Sequence, residues 1–339
     1  MPAPSPVSPQ PLVAVEDLTV DFVSRDSTVR AVNGVSFSLM PGEVLCVIGE
    51  SGSGKSVTMR SLMRLLPRKR AVIKGKINVR GHDILAMKEH EISRISGSEI
   101  AMIFQEPMTA LDPSYTVGDQ IAETVMRHRR CSRKEAMDRA LELLNLVRIP
   151  SPERRLAAYP HELSGGLRQR VMIAIALSCE PSLLLADEPT TALDATVQIQ
   201  VLILLKKLQS ELGMGMMLVT HDLGVAAQIA DRVAVMYAGR IVEHGSVRDV
   251  LLNPRHPYTR GMLASTVHGQ DRDKDIDAIP GSPPDMRRIP RGCSFSPRCA
   301  LAVPDCRAAM PDLVEIGAGH AARCIRLQNR KAGEERLMA

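Results

Sequence analysis

GESGSGKS, at Gly49–Ser56, constrains the fold of this chain more strongly than any other stretch. It fits the pattern G-x-x-x-x-G-K-[ST], in which successive backbone N–H groups wrap the phosphates of a nucleotide. Glycine is needed because the backbone must approach the ligand closely, at angles that a Cβ forbids. The pattern assigns Lys55 to the terminal phosphates and the Ser56 hydroxyl to Mg²⁺. The candidate nucleotide-binding residues are therefore Gly49, Glu50, Ser51, Gly52, Ser53, Gly54, Lys55 and Ser56.

The segments on either side of this loop predict a strand and a helix. Val44–Gly49 (VLCVIG) is an apolar run typical of a buried strand, and Ser56–Leu66 carries apolar residues at helical spacing. The loop would then lie between a strand and a helix N-terminus, where the helix dipole favours an anion. This context favours a phosphate site over a glycine-rich turn without a ligand.

Length and composition limit the class of protein. The chain has 339 residues, 45% of them hydrophobic, and a net charge of +5, as in a globular protein of one large or two smaller domains. No apolar run approaches the roughly 18 residues that span a bilayer. The Pro/Ser-rich residues 1–11 lack the features of a signal peptide and predict a disordered tail. We therefore expect a cytoplasmic protein, and without a long basic run we expect no nucleic-acid binding.

The rest of the chain predicts an α/β protein with additions. Leu12–Phe22 and Val29–Leu39 alternate apolar and polar residues, which predicts a small antiparallel layer. Phe22 is a candidate for stacking on an adenine ring, the alternative being an ordinary strand aromatic. Apolar residues at helical spacing predict that residues 106–165 form a mostly helical insertion in the α/β core. Beyond Gly261 proline and glycine increase and periodicity fades, which predicts a boundary and an extension over 261–339.

Polar residues follow several of the predicted buried strands. Gln105 follows one strand, Asp187 and Glu188 close another, and His221 ends a third. Mg²⁺ prefers hard oxygen ligands, so Asp187 suits it together with Ser56. A carboxylate directly after the magnesium acid can deprotonate the attacking water, so Glu188 is the candidate general base. His221 can donate a hydrogen bond to the γ-phosphate, although each residue alone is compatible with an ordinary loop.

Together these strings resemble the ATP-binding cassette of ABC transporters over roughly residues 12–260. The resemblance rests on GESGSGKS, LSGGLRQR (Leu163–Arg170), LLLADEPTTALD (Leu183–Asp194) and VTHD (Val219–Asp222). It implies a P-loop NTPase fold with a RecA-like core, an antiparallel β-subdomain and an α-helical subdomain. It also implies ATP and Mg²⁺ as ligands.

The same resemblance implies roles that need a second subunit. Two cassettes would clasp two ATP molecules head to tail. Ser164, Gly165 and Gly166 would then contact the γ-phosphate bound by the partner. Gln105 would sense Mg²⁺ and the membrane partner, and Asp194 would link the two ATP sites.

Three further strings resemble the ATPase subunits of oligopeptide and dipeptide importers: QEPMTALDP (Gln105–Pro113), NPRHPYTRGML (Asn253–Leu263) and IPGSPPD (Ile279–Asp285). This implies a second, different ATPase subunit, two membrane permeases and an extracytoplasmic peptide-binding protein, with the chain peripheral on the cytoplasmic membrane face. Some relatives carry nickel or other small solutes. A soluble cassette ATPase acting on nucleic acid or ribosomes, and an iron–sulfur redox enzyme, are the less supported alternatives.

The extension contains the pattern C-x5-C-x6-C-x17-C, formed by Cys293, Cys299, Cys306 and Cys324. Four thiolates suit zinc or an iron–sulfur cluster. Zinc sites usually show tight C-x₂-C pairs, which this pattern lacks, so the spacing favours a cluster. The same cysteines recur in peptide-importer ATPases, where they resemble [4Fe–4S] ligands. Zinc and unliganded thiols stay open.

Overall fold

A computed structural model describes residues 10–191, 193–265 and 278–328 of the chain, so the predicted tail lies outside the described residues apart from its last two positions. The described chain forms a four-stranded and an eight-stranded sheet. The strands are β1 Val13–Val23, β2 Thr28–Leu39, β3 Val44–Ile48, β4 Ala71–Val79, β5 His82–Asp83, β6 Ile100–Ile103, β7 Leu183–Asp187, β8 Gly215–Thr220, β9 Arg232–Tyr237, β10 Arg240–Ser246, β11 Val314–Gly317 and β12 His320–Ala322.

Helices cover the sheets and form most of the segment between β6 and β7. Several begin at a residue whose side chain accepts a hydrogen bond from the first turn, such as Thr116 and Ser132. The helices are α1 Lys55–Ser61, α2 Glu89–Ile95, α3 Pro107–Ala110, α4 Val117–Arg129, α5 Arg133–Leu146, α6 Pro152–Leu156, α7 Gly165–Leu177, α8 Ala195–Leu212, α9 Leu223–Ile229, α10 Val247–Leu252, α11 Pro257–Ala264, α12 Asp305–Ala308 and α13 Ile325–Gln328.

The smaller sheet is the antiparallel layer that the alternating pattern predicts. Its order is β2-β1-β4-β5, and β1 pairs with both β2 and β4. Val13, Leu18 and Val20 of β1 are fully buried in one core that this sheet shares with part of the larger sheet. The antiparallel layer is therefore confirmed.

The larger sheet has the order β11-β12-β10-β9-β3-β8-β7-β6. From β9 to β6 each neighbouring pair is parallel, and all residues of β3, β7 and β8 are buried. Such continuous burial is expected for parallel strands covered on both faces. The carboxyl ends of β3, β8, β7 and β6 consequently meet at one edge, where α/β folds bind their ligands.

The helical insertion is present, with one local difference. Helices α3 to α6 lie between β6 and α7, as residues 106–165 predict. Proline, threonine, aspartate and glycine recur over residues 105–121 and predict a polar loop, but α4 begins within this segment at Val117. The reason is local, since the Thr116 hydroxyl accepts a hydrogen bond from the Asp119 N–H at 3.2 Å and caps the helix.

Helix α1 is shorter than its apolar pattern predicts. The pattern continues to Leu66, whereas the α-helix ends at Ser61. Beyond that point the backbone turns more tightly, because Leu62 N–H donates to Met59 O and Arg64 N–H to Ser61 O, each three residues back. Arg64 then adopts a left-handed conformation, with φ of 52°. Apolar spacing persists through this turn because Leu62 and Leu66 remain buried in the core.

The extension is joined to the nucleotide-binding part. Helix α11 spans the expected boundary at Gly261, and β12 pairs with β10 through Glu243 and Ala322. Phe295 packs in the core of the large sheet. Composition changes near Gly261, but the hydrogen bonds and the core continue across it. The division into 12–260 and 261–339 stays a prediction.

Candidate active site

The loop between β3 and α1 is packed so closely that two of its glycines cannot carry a side chain. Gly49 has φ of 154°, and a Cβ there would lie 2.2 Å from the carbonyl oxygen of Met236. Gly54 has φ of 101°, and its Cβ would lie 2.4 Å from the carbonyl oxygen of Ala31. Tight packing against neighbouring backbone fixes the shape of the loop. This is the preorganisation that a phosphate-binding loop needs.

Lys55 lies buried in this loop. Its Nζ donates to the carbonyl oxygens of Gly49 and Glu50, at 2.7 and 3.0 Å. Burial lowers the pKa of Lys55, while the carboxylates of Glu188, Asp187 and Glu50 oppose that shift. A desolvated ammonium interacts more strongly with an anion than one in bulk water does. Lys55 is therefore suited to bind phosphate oxygens.

Two oxygen ligands suited to magnesium face each other beside the loop. Ser56 Oγ donates to Asp187 Oδ1 at 2.6 Å, and Asp187 is fully buried. The second carboxylate oxygen of Asp187 accepts from Arg60 at 3.1 Å. A hydroxyl and a carboxylate are the hard donors that Mg²⁺ prefers. Ser56 and Asp187 therefore fit the predicted magnesium site in chemistry and position.

Glu188 directly follows β7 and contacts residues that follow the neighbouring parts of the sheet, Gln105 after β6 and His221 after β8. Its Oε2 lies 3.2 Å from Gln105 Nε2, 3.3 Å from His221 Nδ1 and 3.0 Å from Thr191 Oγ1. Its backbone has φ of 46°, a left-handed conformation that costs about 1–3 kcal/mol for a residue with a side chain. Gln105, Glu188 and His221, predicted separately from the sequence, are thus brought together beside Asp187.

The remaining predicted site residues lie elsewhere. Phe22, near the end of β1, is partly buried against the core of the small sheet. Ser164 and Asp194 cap α7 and α8, accepting hydrogen bonds from Leu167 and Val197 at 3.4 and 2.9 Å. Gly165 and Gly166 form the first turn of α7. Their roles toward adenine and a partner subunit stay predictions.

Several residues of the site were not predicted. Arg60 lies one helical turn after Ser56, so its position on the same face of α1 was readable from the sequence. Thr191 follows Glu188 at a spacing that allows a local hydrogen bond. Tyr258 and Arg298, from the C-terminal part, contact Glu50 of the loop. Nothing near Arg298 in the sequence indicates that contact.

The four C-terminal cysteines line one small pocket, together with His256 and Phe295. We call it the cysteine pocket: Cys293, Cys299, Cys306 and Cys324. Burial, and to a smaller extent the neighbouring thiols, raises the pKa of Cys293 to about 11, although a hydrogen bond from the Phe295 backbone opposes the shift. Burial also raises the thiol pKa of Cys299 and Cys324. Nevertheless, no group of three or more His, Cys, Asp or Glu side chains in the described ranges is arranged as a metal site.

Comparison with known proteins defines the class. The family model "ABC transporter" matches residues 32–191. A putative peptide import ATP-binding protein of Brucella abortus is 52% identical over 334 residues, covering 95% of this chain and 99% of that protein. The chain therefore belongs to the ABC transporter family, as one of its ATP-hydrolysing subunits.

Residues 242–306 match the model "Oligopeptide/dipeptide transporter, C-terminal region". The dipeptide transport ATP-binding protein DppD of Bacillus subtilis is 46% identical over 322 residues, covering 95% of this chain and 96% of its own.

The fold is shared with solved ATP-binding cassettes. A chain from the dimeric structure of the ATP-binding cassette MJ0796, in a post-hydrolysis state bound to ADP and Pi, matches with a TM-score of 0.63 and 29% identity. The match covers 70% of this chain and 99% of that one. The predicted P-loop NTPase fold is thus confirmed. In the part of the chain that the structure describes, no helix combines the length and apolarity needed to cross a membrane.

Proposed function

We propose that this chain is the energy-coupling ATPase of an importer of dipeptides and oligopeptides. The observation that carries this proposal is the match of residues 242–306 to the C-terminal region of oligopeptide and dipeptide transporters. The names of the Brucella abortus and Bacillus subtilis relatives support it. The matched segment includes Tyr258 and Arg298, which contact the phosphate loop.

The arrangement of the site supports a separate role for each of these residues in ATP hydrolysis. Lys55 and the amides of Gly49–Ser56 would bind the phosphates, and Ser56 and Asp187 would hold Mg²⁺, which neutralises developing charge when bound. Glu188 would take the proton from the water that attacks the γ-phosphate. Its contacts with Gln105 and His221 would orient its carboxylate toward that water. Phe22 would stack on the adenine.

We propose that the chain works with a second, homologous ATPase subunit. The dimeric state of the MJ0796 cassette supports this arrangement by similarity of fold. In such a dimer Ser164, Gly165 and Gly166 would bind the γ-phosphate held by the partner, through amides at the N-terminus of α7. Asp194 would link the two sites, and Gln105 would report magnesium occupancy to the membrane subunits. Two permeases and an extracytoplasmic peptide-binding protein would complete a complex at the cytoplasmic membrane face.

The substrate class is tested by ATP hydrolysis in the purified complex reconstituted with its binding protein. We expect a panel of di- to pentapeptides to stimulate phosphate release severalfold, because substrate arrival favours the closed state that ATP prefers. Nickel salts at the same concentrations should leave the rate at its basal value. Stimulation by nickel without stimulation by any peptide would contradict the peptide assignment and favour a metal importer.

We further propose that the cysteine pocket holds a [4Fe–4S] cluster. The four sulfurs line one pocket, and an all-thiolate donor set suits iron–sulfur chemistry. The raised pKa values of three of these thiols indicate that their thiolates need a compensating cation in so buried a site. An iron–sulfur cluster would draw the four sulfurs together. It would also stabilise the extension, whose own hydrophobic core around Cys324 is small.

Anaerobically purified protein should show broad absorption at about 400 nm and about four irons per chain. Cys299→Ser should remove the absorption and most of the iron, because one thiolate ligand is lost. Cys131→Ser, outside the pocket, is the matched control and should retain both. One zinc per chain without iron, or folded protein without metal, would overturn the cluster.

A further inference from the structure

An ion pair joins the C-terminal part of the chain to the phosphate-binding loop Gly49–Ser56. Arg298 Nη1 donates to Glu50 Oε2 at 2.8 Å, and Arg298 Nη2 donates to Glu50 Oε1 at 3.1 Å. The two residues lie 248 positions apart in the sequence. The Arg298 side chain is only 7% exposed, and that of Glu50 is 28% exposed. A bidentate ion pair that is shielded from solvent in this way fixes the orientation of both side chains, unlike an ordinary surface ion pair.

The rest of the Arg298 guanidinium is fixed as well. Its Nε donates to the carbonyl oxygen of Pro280 at 2.8 Å, and Nη1 also donates to Tyr237 Oη at 3.3 Å. Burial alone would lower the pKa of Arg298, but hydrogen bonds to Glu50 and Tyr237 raise it above its ordinary value. The guanidinium is therefore a permanent, oriented positive charge. It is carried by the 3₁₀ turn Ser296–Arg298 directly before Cys299.

A second contact fixes the backbone of the same loop residue. The Glu50 N–H donates to Tyr258 Oη at 2.9 Å, and Tyr258 is fully buried. The Glu50 carbonyl oxygen accepts from Lys55 Nζ at 3.0 Å and from the Ser53 N–H at 3.2 Å. Tyr258 and Arg298 thus hold the N–H and the side chain of Glu50, while its carbonyl oxygen accepts a hydrogen bond from Lys55, the lysine assigned to the phosphates.

We propose that Arg298 and Tyr258 are positioning residues of the ATP site. Arg298 neutralises and anchors the Glu50 carboxylate, and Tyr258 anchors the Glu50 backbone, so that the loop and Lys55 accept the triphosphate. The inference concerns ATP binding and holds whatever solute the transporter carries. It is also independent of the group held in the cysteine pocket.

Electrostatics make the neutralising role necessary. The Glu50 carboxylate is close enough to Lys55 to influence its pKa. Without Arg298 that negative charge would stand unpaired beside a site that must bind a polyanion, in a shielded environment where repulsion is strong. The loop would also lose the anchor that fixes its second residue. Both effects weaken ATP binding, but only the first is reversed when the charge on Glu50 is removed.

The test is binding of the non-hydrolysable analogue AMP-PNP, with Mg²⁺, to the full purified chain by titration calorimetry. Arg298→Met should raise the dissociation constant about tenfold. Glu50→Gln combined with Arg298→Met should return it to within about threefold of wild type, because no unpaired carboxylate remains. Arg288→Met, an exposed arginine of the same segment, is the matched control and should bind like wild type.

Recovery of AMP-PNP affinity in the double variant would show that Arg298 acts by neutralising Glu50. If Arg298→Met merely damaged the extension, Glu50→Gln could not restore binding. A double variant that binds as weakly as Arg298→Met would overturn the neutralising role. If Arg298→Met fails to fold, Tyr258→Phe tests the contact with the Glu50 backbone, because this substitution removes only the hydroxyl oxygen of Tyr258. It should weaken binding about fivefold through the unpaired Glu50 N–H. Wild-type affinity in both Arg298→Met and Tyr258→Phe would overturn the proposal.

Discussion

Glu188→Gln is expected to lower ATP hydrolysis by the assembled transporter at least about 100-fold, because an amide cannot take the proton of the attacking water. The substitution preserves side-chain volume, and the contact with the Thr191 hydroxyl can persist. Lys55, Ser56 and Asp187 are untouched, so ATP should bind with nearly unchanged affinity. Phosphate release at saturating ATP, measured together with AMP-PNP binding, checks both parts of this expectation.

Glu211→Gln is the matched control for that measurement. Glu211 lies near the end of α8, exposed and paired with Lys207 on the same helix. Its loss should leave turnover unchanged, since exposed ion pairs contribute about 0–1 kcal/mol to stability and this one is outside the site. A Glu188→Gln complex that retains more than about a fifth of wild-type turnover would remove Glu188 from the role of general base.

Glu243→Ala is expected to lower the free energy of unfolding by about 3–5 kcal/mol. Glu243 is fully buried on β10, where its carboxylate accepts from the Arg255 and His256 N–H groups at 2.7 and 2.9 Å. It also lies 2.9 Å from Nε2 of buried His320, on β12. Truncation would leave these buried donors without a partner at the point where the extension joins the large sheet.

Urea unfolding followed by circular dichroism measures this loss, because the chain contains no tryptophan for fluorescence. Glu315→Ala, which removes an exposed glutamate from β11, the edge strand beside β12, is the matched control and should stay within about 0.5 kcal/mol of wild type. A loss below about 1 kcal/mol for Glu243→Ala would mean that this carboxylate does not secure the extension.

Much of the nucleotide site could be predicted because its determinants are local. The loop at Gly49–Ser56 is contiguous, and a buried apolar strand precedes it. Gln105, Glu188 and His221 each lie within two residues of the end of a strand, and parallel strands bring their carboxyl ends to the same edge. The sequence therefore predicts each of these side chains at the end of a strand, and the strand order β8-β7-β6 brings them into contact.

The contacts between the extension and the site could not be predicted in the same way. The pair formed by Arg298 and Glu50 depends on how the extension docks, and neither residue stands in a pattern that indicates a partner. The pairing of β12 with β10 is likewise set by tertiary packing, since β12 has only three residues and too short a pattern to read. Composition suggested a boundary at Gly261, where α11 and the core in fact continue.

ATP-driven uptake of a labelled dipeptide into proteoliposomes most directly tests the claim that this chain powers peptide import. The vesicles would contain the permeases and both ATPase subunits, with ATP supplied on the side of this chain and binding protein on the other. We expect accumulation against a gradient with the wild-type chain, and none above background with Glu188→Gln. Equal accumulation with both chains, or no peptide uptake despite ATP hydrolysis, would contradict the account.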